Sequence, residues 1–311
     1  MSDLTMDRHH PACPTAVLPS TVMIEPTNRC NLQCPTCPTG RGLITTGHDM
    51  SFSDFAKIID SICPTTKTLL LWGYGEPLLH KDIFRMVSYA KEKGIPNIKL
   101  STNGLFLTKN IHRLLRSGLD QLTISLDGAS QQTYQAYRKN GDFQSVVRAI
   151  SATVEERDKL GITRPFIELQ FIIMSHNEHE LPVVERLARE WGVDRLVLKT
   201  VGVFPGDEHL VPKNQEYSRY RPQAVAQHCA FPWDFTFINA DGNVNVCCYL
   251  RTDMGMEYVM GNVFSGDFKS VWTGEKYRSF RAKMLKDKSA IFLCSGCNTL
   301  SQLNYKEIDF R

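Results

Sequence analysis

Seven of the ten cysteines in this chain fall into two groups whose spacing suits metal binding. The members of these groups are Cys30, Cys34 and Cys37 in the first, and Cys229, Cys247, Cys294 and Cys297 in the second. Thiolates are soft ligands that suit zinc and iron–sulfur clusters, and a purely structural site of either kind usually takes four protein ligands. The group of three therefore predicts a site with one coordination position open to a substrate or cofactor.

The composition is that of a globular protein. The chain has 311 residues, 42% of them hydrophobic, which allows one large domain and a smaller one. No apolar run approaches the roughly 18 residues of a membrane span, and the first residues lack the pattern of a signal peptide. The net charge of +3 is small, and the basic residues are scattered among acidic ones. We therefore expect a cytoplasmic protein without membrane or nucleic-acid partners, whose cysteines bind metal rather than form disulfides.

Short apolar segments alternate with amphipathic helical segments between residues 21 and 205. The predicted strands are 21–26, 66–73, 97–104, 121–128, 166–174 and 195–202. The predicted helices are 82–94, 111–118, 143–161 and 181–192, each ending at a glycine. This alternation predicts an α/β fold with a parallel sheet, either open or rolled into a full or partial barrel. Ligands bind such sheets at the C-terminal ends of the strands.

The remaining chain divides into three parts. Residues 1–20 are interpreted as an N-terminal extension, 206–228 as a linker and 229–311 as a small second unit. Within this unit, residues 234–250 alternate in polarity around Asp241-Gly242, which is typical of a β-hairpin. A helical stretch is predicted over 267–287, before the last two cysteines of the second group.

Motifs that suit a cofactor follow four successive predicted strands. The first group of thiols follows the first strand, and the next three strands end in GYGEP (73–77), STNG (101–104) and SLDG (125–128). In this order they resemble the radical S-adenosylmethionine (SAM) superfamily. The resemblance implies a partial (β/α)6 TIM-like barrel over 21–205 and a [4Fe–4S] cluster on Cys30, Cys34 and Cys37, whose open iron binds SAM. It also implies an external electron donor, such as flavodoxin or ferredoxin, and cleavage of SAM to a 5′-deoxyadenosyl radical.

The resemblance further implies which residues contact SAM. These are Gly73, Gly75, Glu76, Ser101, Asn103, Ser125, Asp127, Arg138 and Met174. Arg138 would pair with the SAM carboxylate, and Met174 and Val201 would pack against adenine. Thr36 departs from the family pattern, which often has an aromatic residue at this position, and puts an adenine contact there in doubt.

The second group of cysteines begins with the pattern C-x12-G-x4-C, from Cys229 to Cys247. This resembles the start of a SPASM domain, the auxiliary-cluster module of many radical SAM enzymes. Since a single C-x2-C pair, Cys294 and Cys297, follows, the unit resembles the truncated α+β form called a Twitch domain. That implies an auxiliary [4Fe–4S] cluster on the four thiols. A four-cysteine zinc site fits the same spacing and stays open as an alternative.

Three cysteines belong to neither group. Cys248 adjoins Cys247, and because neighbours on a strand point to opposite faces, we expect it to lie outside the auxiliary site. Cys248 is then a candidate donor of a hydrogen atom to a substrate radical, as in radical SAM epimerases, with simple burial as the alternative. Cys13 and Cys63 lack ligand-like spacing and are interpreted as structural or incidental.

The resemblance to Twitch-type enzymes that modify aminoglycoside and nucleoside sugars implies a small, sugar-type substrate. Cys248 favours epimerisation over dehydrogenation, which needs a base near the substrate. The candidate polar groups at the strand ends are Glu168, Gln170, His176 and Lys199. A peptide-modifying radical SAM enzyme is one alternative, disfavoured because few residues precede the first strand. A non-catalytic, zinc-stabilised binding protein is the alternative from another class.

Overall fold

The computed structural model describes residues 17–220, 229–248, 256–295, 297 and 304–311. Four predicted features lie outside the described residues: Cys13, most of the N-terminal extension, linker residues 221–228 and the last two residues of the predicted hairpin. Within the described ranges, no helix is long and apolar enough to cross a membrane.

The strands form one continuous sheet. The first six are β1 (Thr21–Ile24), β2 (Thr68–Leu71), β3 (Asn97–Thr102), β4 (Gln121–Ser125), β5 (Phe166–Ile173) and β6 (Arg195–Thr200). The later ones are β7 (Phe235–Ile238), β8 (Asn243–Asn245), β9 (Val259–Asn262) and β10 (Asn304–Asp309). Their order is β10-β6-β5-β4-β3-β2-β1-β7-β8-β9, with β1 to β6 parallel. All six predicted strands are confirmed, as is the α/β partial-barrel class.

Helices follow most of the parallel strands. The helices are α1 (Phe52–Ile62), α2 (Ile83–Glu92), α3 (Ile111–Arg116), α4 (Gln131–Tyr137), α5 (Phe143–Lys159), α6 (Leu181–Glu190), α7 (Phe231–Asp234), α8 (Phe268–Trp272), α9 (Glu275–Lys286) and α10 (Phe292–Ser295). The four predicted helices are confirmed as α2, α3, α5 and α6. The helical stretch predicted over 267–287 is confirmed as two helices, α8 and α9, which the extended backbone of Gly274 (ψ 169°) separates.

The two faces of the sheet have different partners. Alternate strand residues such as Ile24, Leu100 and Ile124 are fully buried in one core with helix residues such as Ile59 and Ile150. The residues between them face the other way and line the inner, concave side of the partial barrel. This inner face and the C-terminal strand ends are where a ligand can reach the sheet.

The second unit extends the sheet at both edges. Strand β7 pairs in parallel with β1, with Thr21 opposite Phe235, and β10 pairs antiparallel with β6. Strands β7 and β8 form the predicted hairpin, which turns at Gly242 with a φ of 83°. The division into units at 205 and 229 stays a prediction, since backbone hydrogen bonds join both parts in one sheet.

A buried ion pair fixes α5 against β5 and β6. Arg157 on α5 is fully buried and pairs with Asp194, whose side chain is 1% exposed just before β6. The Asp194 carboxylate also accepts a hydrogen bond of 2.6 Å from the Ile167 N–H. Removing one partner of such a pair leaves an uncompensated buried charge.

We therefore expect Asp194→Asn to lower the free energy of unfolding by about 3–5 kcal/mol. Urea denaturation followed by circular dichroism measures the loss. The matched control is Asp158→Asn, because Asp158 contacts Arg157 from the surface with its side chain 48% exposed, and its loss should stay below about 1 kcal/mol. Equal losses in the two variants would contradict this role of Asp194.

Candidate functional site

The loop after β1 carries the first group of thiols. Cys34 is buried and Cys30 and Cys37 are half-buried, and all three lie in one apolar cluster with Met174 and Val201. Met174 follows β5 and Val201 follows β6, so the cluster sits at the C-terminal strand ends. The structure thus brings together the three predicted ligands and the two residues predicted to pack against adenine.

The surroundings of these thiols fit an anionic cluster. Burial raises the pKa of all three, that of Cys30 to about 11, which favours the neutral form when no metal is bound. Donors nevertheless point at the sulfurs: the Leu32 N–H lies 3.4 Å from Cys30 Sγ, and Arg138 Nη1 lies 3.8 Å from Cys34 Sγ. A metal centre supplies the positive charge that thiolates need at such a site.

The glycines of GYGEP let two chain segments approach closely. A Cβ atom on Gly75 would lie 2.0 Å from the carbonyl oxygen of Thr27, and one on Gly73 would lie 2.4 Å from Glu25 Oε1. The close approach seen here is therefore to the segment that leads into the cysteine loop. A contact of either glycine with SAM stays a prediction.

Glu76 connects the ends of β2 and β3. Its buried carboxylate accepts hydrogen bonds from the Leu78 N–H (3.0 Å), the Thr102 hydroxyl (2.6 Å) and the Asn103 N–H (2.8 Å). Asn103 in turn donates to the side-chain oxygen of Asn31 at 2.9 Å. Glu76 thus holds the STNG turn against the cysteine loop, and its carboxylate is occupied by protein donors.

Asp127 holds Arg138 in the site. Asp127 is fully buried, its Oδ2 lies 2.5 Å from Arg138 Nε, and its Oδ1 accepts the Ile172 N–H at 2.7 Å. The neighbouring Asp127 carboxylate helps to raise the pKa of Arg138 well above its usual value, against the effect of burial. Arg138 therefore stays charged, with one nitrogen facing Cys34 and another facing Asp127.

Asn177 was not identified from the sequence. Its buried amide donates to the carbonyl oxygens of Asp127 (3.1 Å) and Ile172 (2.9 Å), and its Oδ1 accepts the Met174 N–H at 2.6 Å. It thereby locks the ends of β4 and β5 together. The available signal was a lone asparagine three residues after the predicted adenine contact.

The remaining candidates lie on or near the inner face. Ser101 is half-buried there, and Ser125 accepts a hydrogen bond of 3.3 Å from Gln170. Burial raises the pKa of Glu168 and lowers that of Lys199, and the opposite charges of these two groups attract each other. His176 lies after β5, where burial lowers its pKa.

Tyr74, between the two glycines of GYGEP, was also missed. Its N–H donates to Glu25 at 2.6 Å, its carbonyl oxygen accepts from the Cys37 thiol at 3.7 Å, and its hydroxyl donates to the Cys248 carbonyl oxygen at 3.1 Å. One residue therefore links the first group of thiols to the second unit. In the sequence, the flanking glycines indicate a close approach of the backbone and say nothing about the role of this side chain.

The second group of thiols also comes together. Cys229, Cys247, Cys294 and Cys297 line one cavity between α7, β8, α9 and α10. Phe280, Met284 and Lys288 close its sides. The spacing in the sequence thus identified four cysteines that meet in space, and their role as ligands stays a proposal.

Cys248 differs from its prediction in one respect. Strand β8 ends at Asn245, so strand alternation does not separate Cys247 from Cys248, and that reason for their separation is wrong. A hydrogen bond with the Cys247 side chain lowers the pKa of Cys248. Cys248 still packs against the cluster of Met23 and Phe237 on the inner face, at the border of the auxiliary site.

Two domain families match this chain. Residues 24–163 match the radical SAM superfamily, and residues 229–298 match SPASM, an iron–sulfur cluster-binding domain. The chain therefore combines a radical SAM domain with a SPASM domain, the architecture of a radical SAM enzyme. These domains imply SAM, a SAM-binding [4Fe–4S] cluster and auxiliary iron–sulfur binding.

Individual proteins resemble this chain at low identity. It is 28% identical over 197 residues to a probable GTP 3′,8-cyclase of Methanococcus maripaludis, covering 62% of this chain and 64% of that relative. It thus spans less than two thirds of that relative's length. It is 27% identical over 296 residues to the tungsten-containing aldehyde ferredoxin oxidoreductase cofactor-modifying protein of Pyrococcus furiosus, covering 83% and 82% of the two chains. The crystal structure of BtrN in complex with AdoMet and 2-DOIA shares the fold, with a TM-score of 0.54, 18% identity and coverage of 94% and 98%.

The packing of GYGEP predicts the effect of Gly75→Ala. Since the added Cβ would meet a backbone oxygen 2.0 Å away, the segment that leads into the cysteine loop has to move. We expect reconstituted protein to lose roughly half of its iron and sulfide, the share of the first of two clusters. Gly266→Ala is the control, because nothing lies within 4 Å of a Cβ at that residue. Full iron content in Gly75→Ala would disprove this role.

Proposed function

We propose that this enzyme abstracts a hydrogen atom from a small polar, sugar-type substrate on the inner face, and that Cys248 returns a hydrogen atom to epimerise it. This proposal rests on the two contacts of Tyr74. Its carbonyl oxygen accepts a hydrogen bond from the Cys37 thiol, and its hydroxyl donates one to the Cys248 carbonyl oxygen. One tyrosine therefore links the two thiol-bearing segments.

The cofactor ligands in this proposal are Cys30, Cys34 and Cys37, with SAM held by the strand-end motifs. When bound, the cluster and SAM supply the 5′-deoxyadenosyl radical that removes a hydrogen atom. The chain's own residues position these groups: Glu76 fixes the STNG turn, and Asp127 orients Arg138 beside Cys34. The apolar neighbours Met174 and Val201 exclude water from the same place.

Both cysteine groups are assigned iron–sulfur clusters rather than zinc, because the families that match the two parts of the chain are the radical SAM superfamily and an iron–sulfur cluster-binding domain. A purely structural zinc site usually takes four protein ligands, whereas the first group offers three thiols.

In this proposal Cys248 acts from the side of the substrate that faces the second unit. In the proposed step its S–H bond breaks and a C–H bond forms on the substrate radical, which leaves a sulfur radical on Cys248. One electron from an external donor, such as flavodoxin or ferredoxin, and one proton from solvent restore the thiol. Epimerisation thus needs no base.

The inner face itself supports a small polar substrate. Met23 on β1, Trp72 directly after β2 and Phe237 on β7 form an apolar wall. Gln170 and Lys199, on β5 and β6, offer hydrogen-bond donors on the opposite side. A compound with several hydroxyl groups fits such a two-sided face. Dehydrogenation remains the second outcome on the same site, with Lys199 as its base because burial lowers the pKa of this lysine.

Replacing Cys30, Cys34 and Cys37 together by Ala should abolish formation of 5′-deoxyadenosine, since no open iron remains for SAM. Chromatography of anaerobic, dithionite-reduced reactions measures this product. Cys63→Ala is the control, because this thiol lies at the end of α1, away from both groups. Surviving SAM cleavage in the triple variant would disprove the assignment of the first group.

Cys248→Ala should still cleave SAM and consume substrate but form no epimer. The substrate is first sought in a panel of aminoglycosides, amino sugars and nucleosides. It is identified as the compound that raises 5′-deoxyadenosine formation above background. Because thiol hydrogens exchange with solvent, reactions in D2O should place one deuterium in the epimer made by wild-type protein. Normal, deuterated epimer from Cys248→Ala would rule out the donor role.

A further inference from the structure

We propose that Lys288 raises the reduction potential of the auxiliary cluster. Lys288 is 5% exposed and lines the same cavity as Cys229, Cys247, Cys294 and Cys297. Its ammonium group donates a hydrogen bond of 2.7 Å to the carbonyl oxygen of Cys297. A lysine is rarely buried to this degree unless an opposite charge is close.

The turn between α9 and α10 directs Lys288 inward. Asp287 begins a 3-10 turn and accepts hydrogen bonds from the N–H (2.9 Å) and the hydroxyl (2.6 Å) of Ser289. The acidic group next to Lys288 in the chain is thus engaged at the exposed surface of the turn. Among the described residues that line the cavity, Lys288 carries the only positive charge.

The charge of Lys288 acts on the thiols of the cavity. Because Lys288 and the four cysteines line one cavity, its ammonium charge lies beside these thiols. A cation that favours thiolates also favours the more negative state of a cluster that they hold. Reduction adds one negative charge, so Lys288 stabilises the reduced cluster more than the oxidised one.

This inference does not depend on the substrate or on Cys248, because it concerns the auxiliary site alone. It assigns Lys288 the role of an electrostatic partner of the cluster, in addition to holding the loop of Cys297 through its hydrogen bond. The two roles can be separated by experiment. Removing the charge of Lys288 while the cluster stays intact changes the electrostatic role alone.

The test is a redox titration of the full chain, followed by EPR spectroscopy. The parent for all variants is the protein in which Cys30, Cys34 and Cys37 are replaced by Ala, so that the EPR signal comes from the auxiliary cluster. In this background Lys288→Met should shift the equilibrium for reduction about tenfold toward the oxidised form, which corresponds to a potential lower by about 59 mV. Lys288→Arg should keep the parent potential. Lys286→Met is the control, because Lys286 is exposed at the end of α9, two residues before Lys288.

Iron and sulfide content is measured first in every variant. If Lys288→Met does not hold its cluster, Lys288→Gln decides, since its amide can still donate a hydrogen bond without a charge. A potential equal to that of the parent in a neutral variant with an intact cluster would overturn the proposal. Zinc instead of iron in the parent would also overturn it, because zinc has no redox chemistry.

Discussion

The buried carboxylate of Glu25 is the interaction on which both cysteine groups depend. Glu25 directly follows β1 and is 1% exposed; its Oε1 accepts the Tyr74 N–H at 2.6 Å, and its Oε2 accepts the Ala240 N–H at 3.2 Å. One side chain thus joins the start of the cysteine loop, the GYGEP turn and the β7–β8 turn. Burial raises its pKa, whereas these backbone donors favour the charged form. Its hydrogen bonds meet the requirement that a buried carboxylate be satisfied by donors.

Strand pairing turns this local contact into a shared site. Strand β1 pairs in parallel with β2 on one side and with β7 on the other, so the C-terminal ends of all three strands lie at the same edge. The cysteine loop, Tyr74 and the hairpin that leads to Cys248 therefore meet there. The second unit is attached to the barrel through this pairing, and it contributes directly to the space beside the first group of thiols.

The sequence predicted what depends on local pattern. Apolar runs and glycine caps located the six parallel strands and four helices, and cysteine spacing identified two sets of thiols that meet in space. It could not reveal the pairing of β1 with β7, because the partners are more than 200 residues apart and neither pattern specifies the other. Asn177 and Glu25 were missed for a related reason. The role of a buried polar residue is recognised from the backbone groups with which it forms hydrogen bonds, and the fold is needed to know these groups. Cys248 shows a further limit: alternation applies only while a strand continues, and β8 stops at Asn245.

The two groups of thiols differ in the charge beside them, and this difference suits different electronic tasks. Near Cys34, the cation Arg138 is balanced by Asp127 at 2.5 Å, so the pair adds little net charge to the first site. At the second site, Lys288 lines the cavity of the four thiols and donates to the Cys297 carbonyl oxygen. A cluster beside a neutral pair retains a low potential, which the cleavage of SAM requires, whereas one beside a buried cation accepts an electron more readily. In the proposed assignment, Tyr74 thus lies between a strongly reducing first site and a more easily reduced second site.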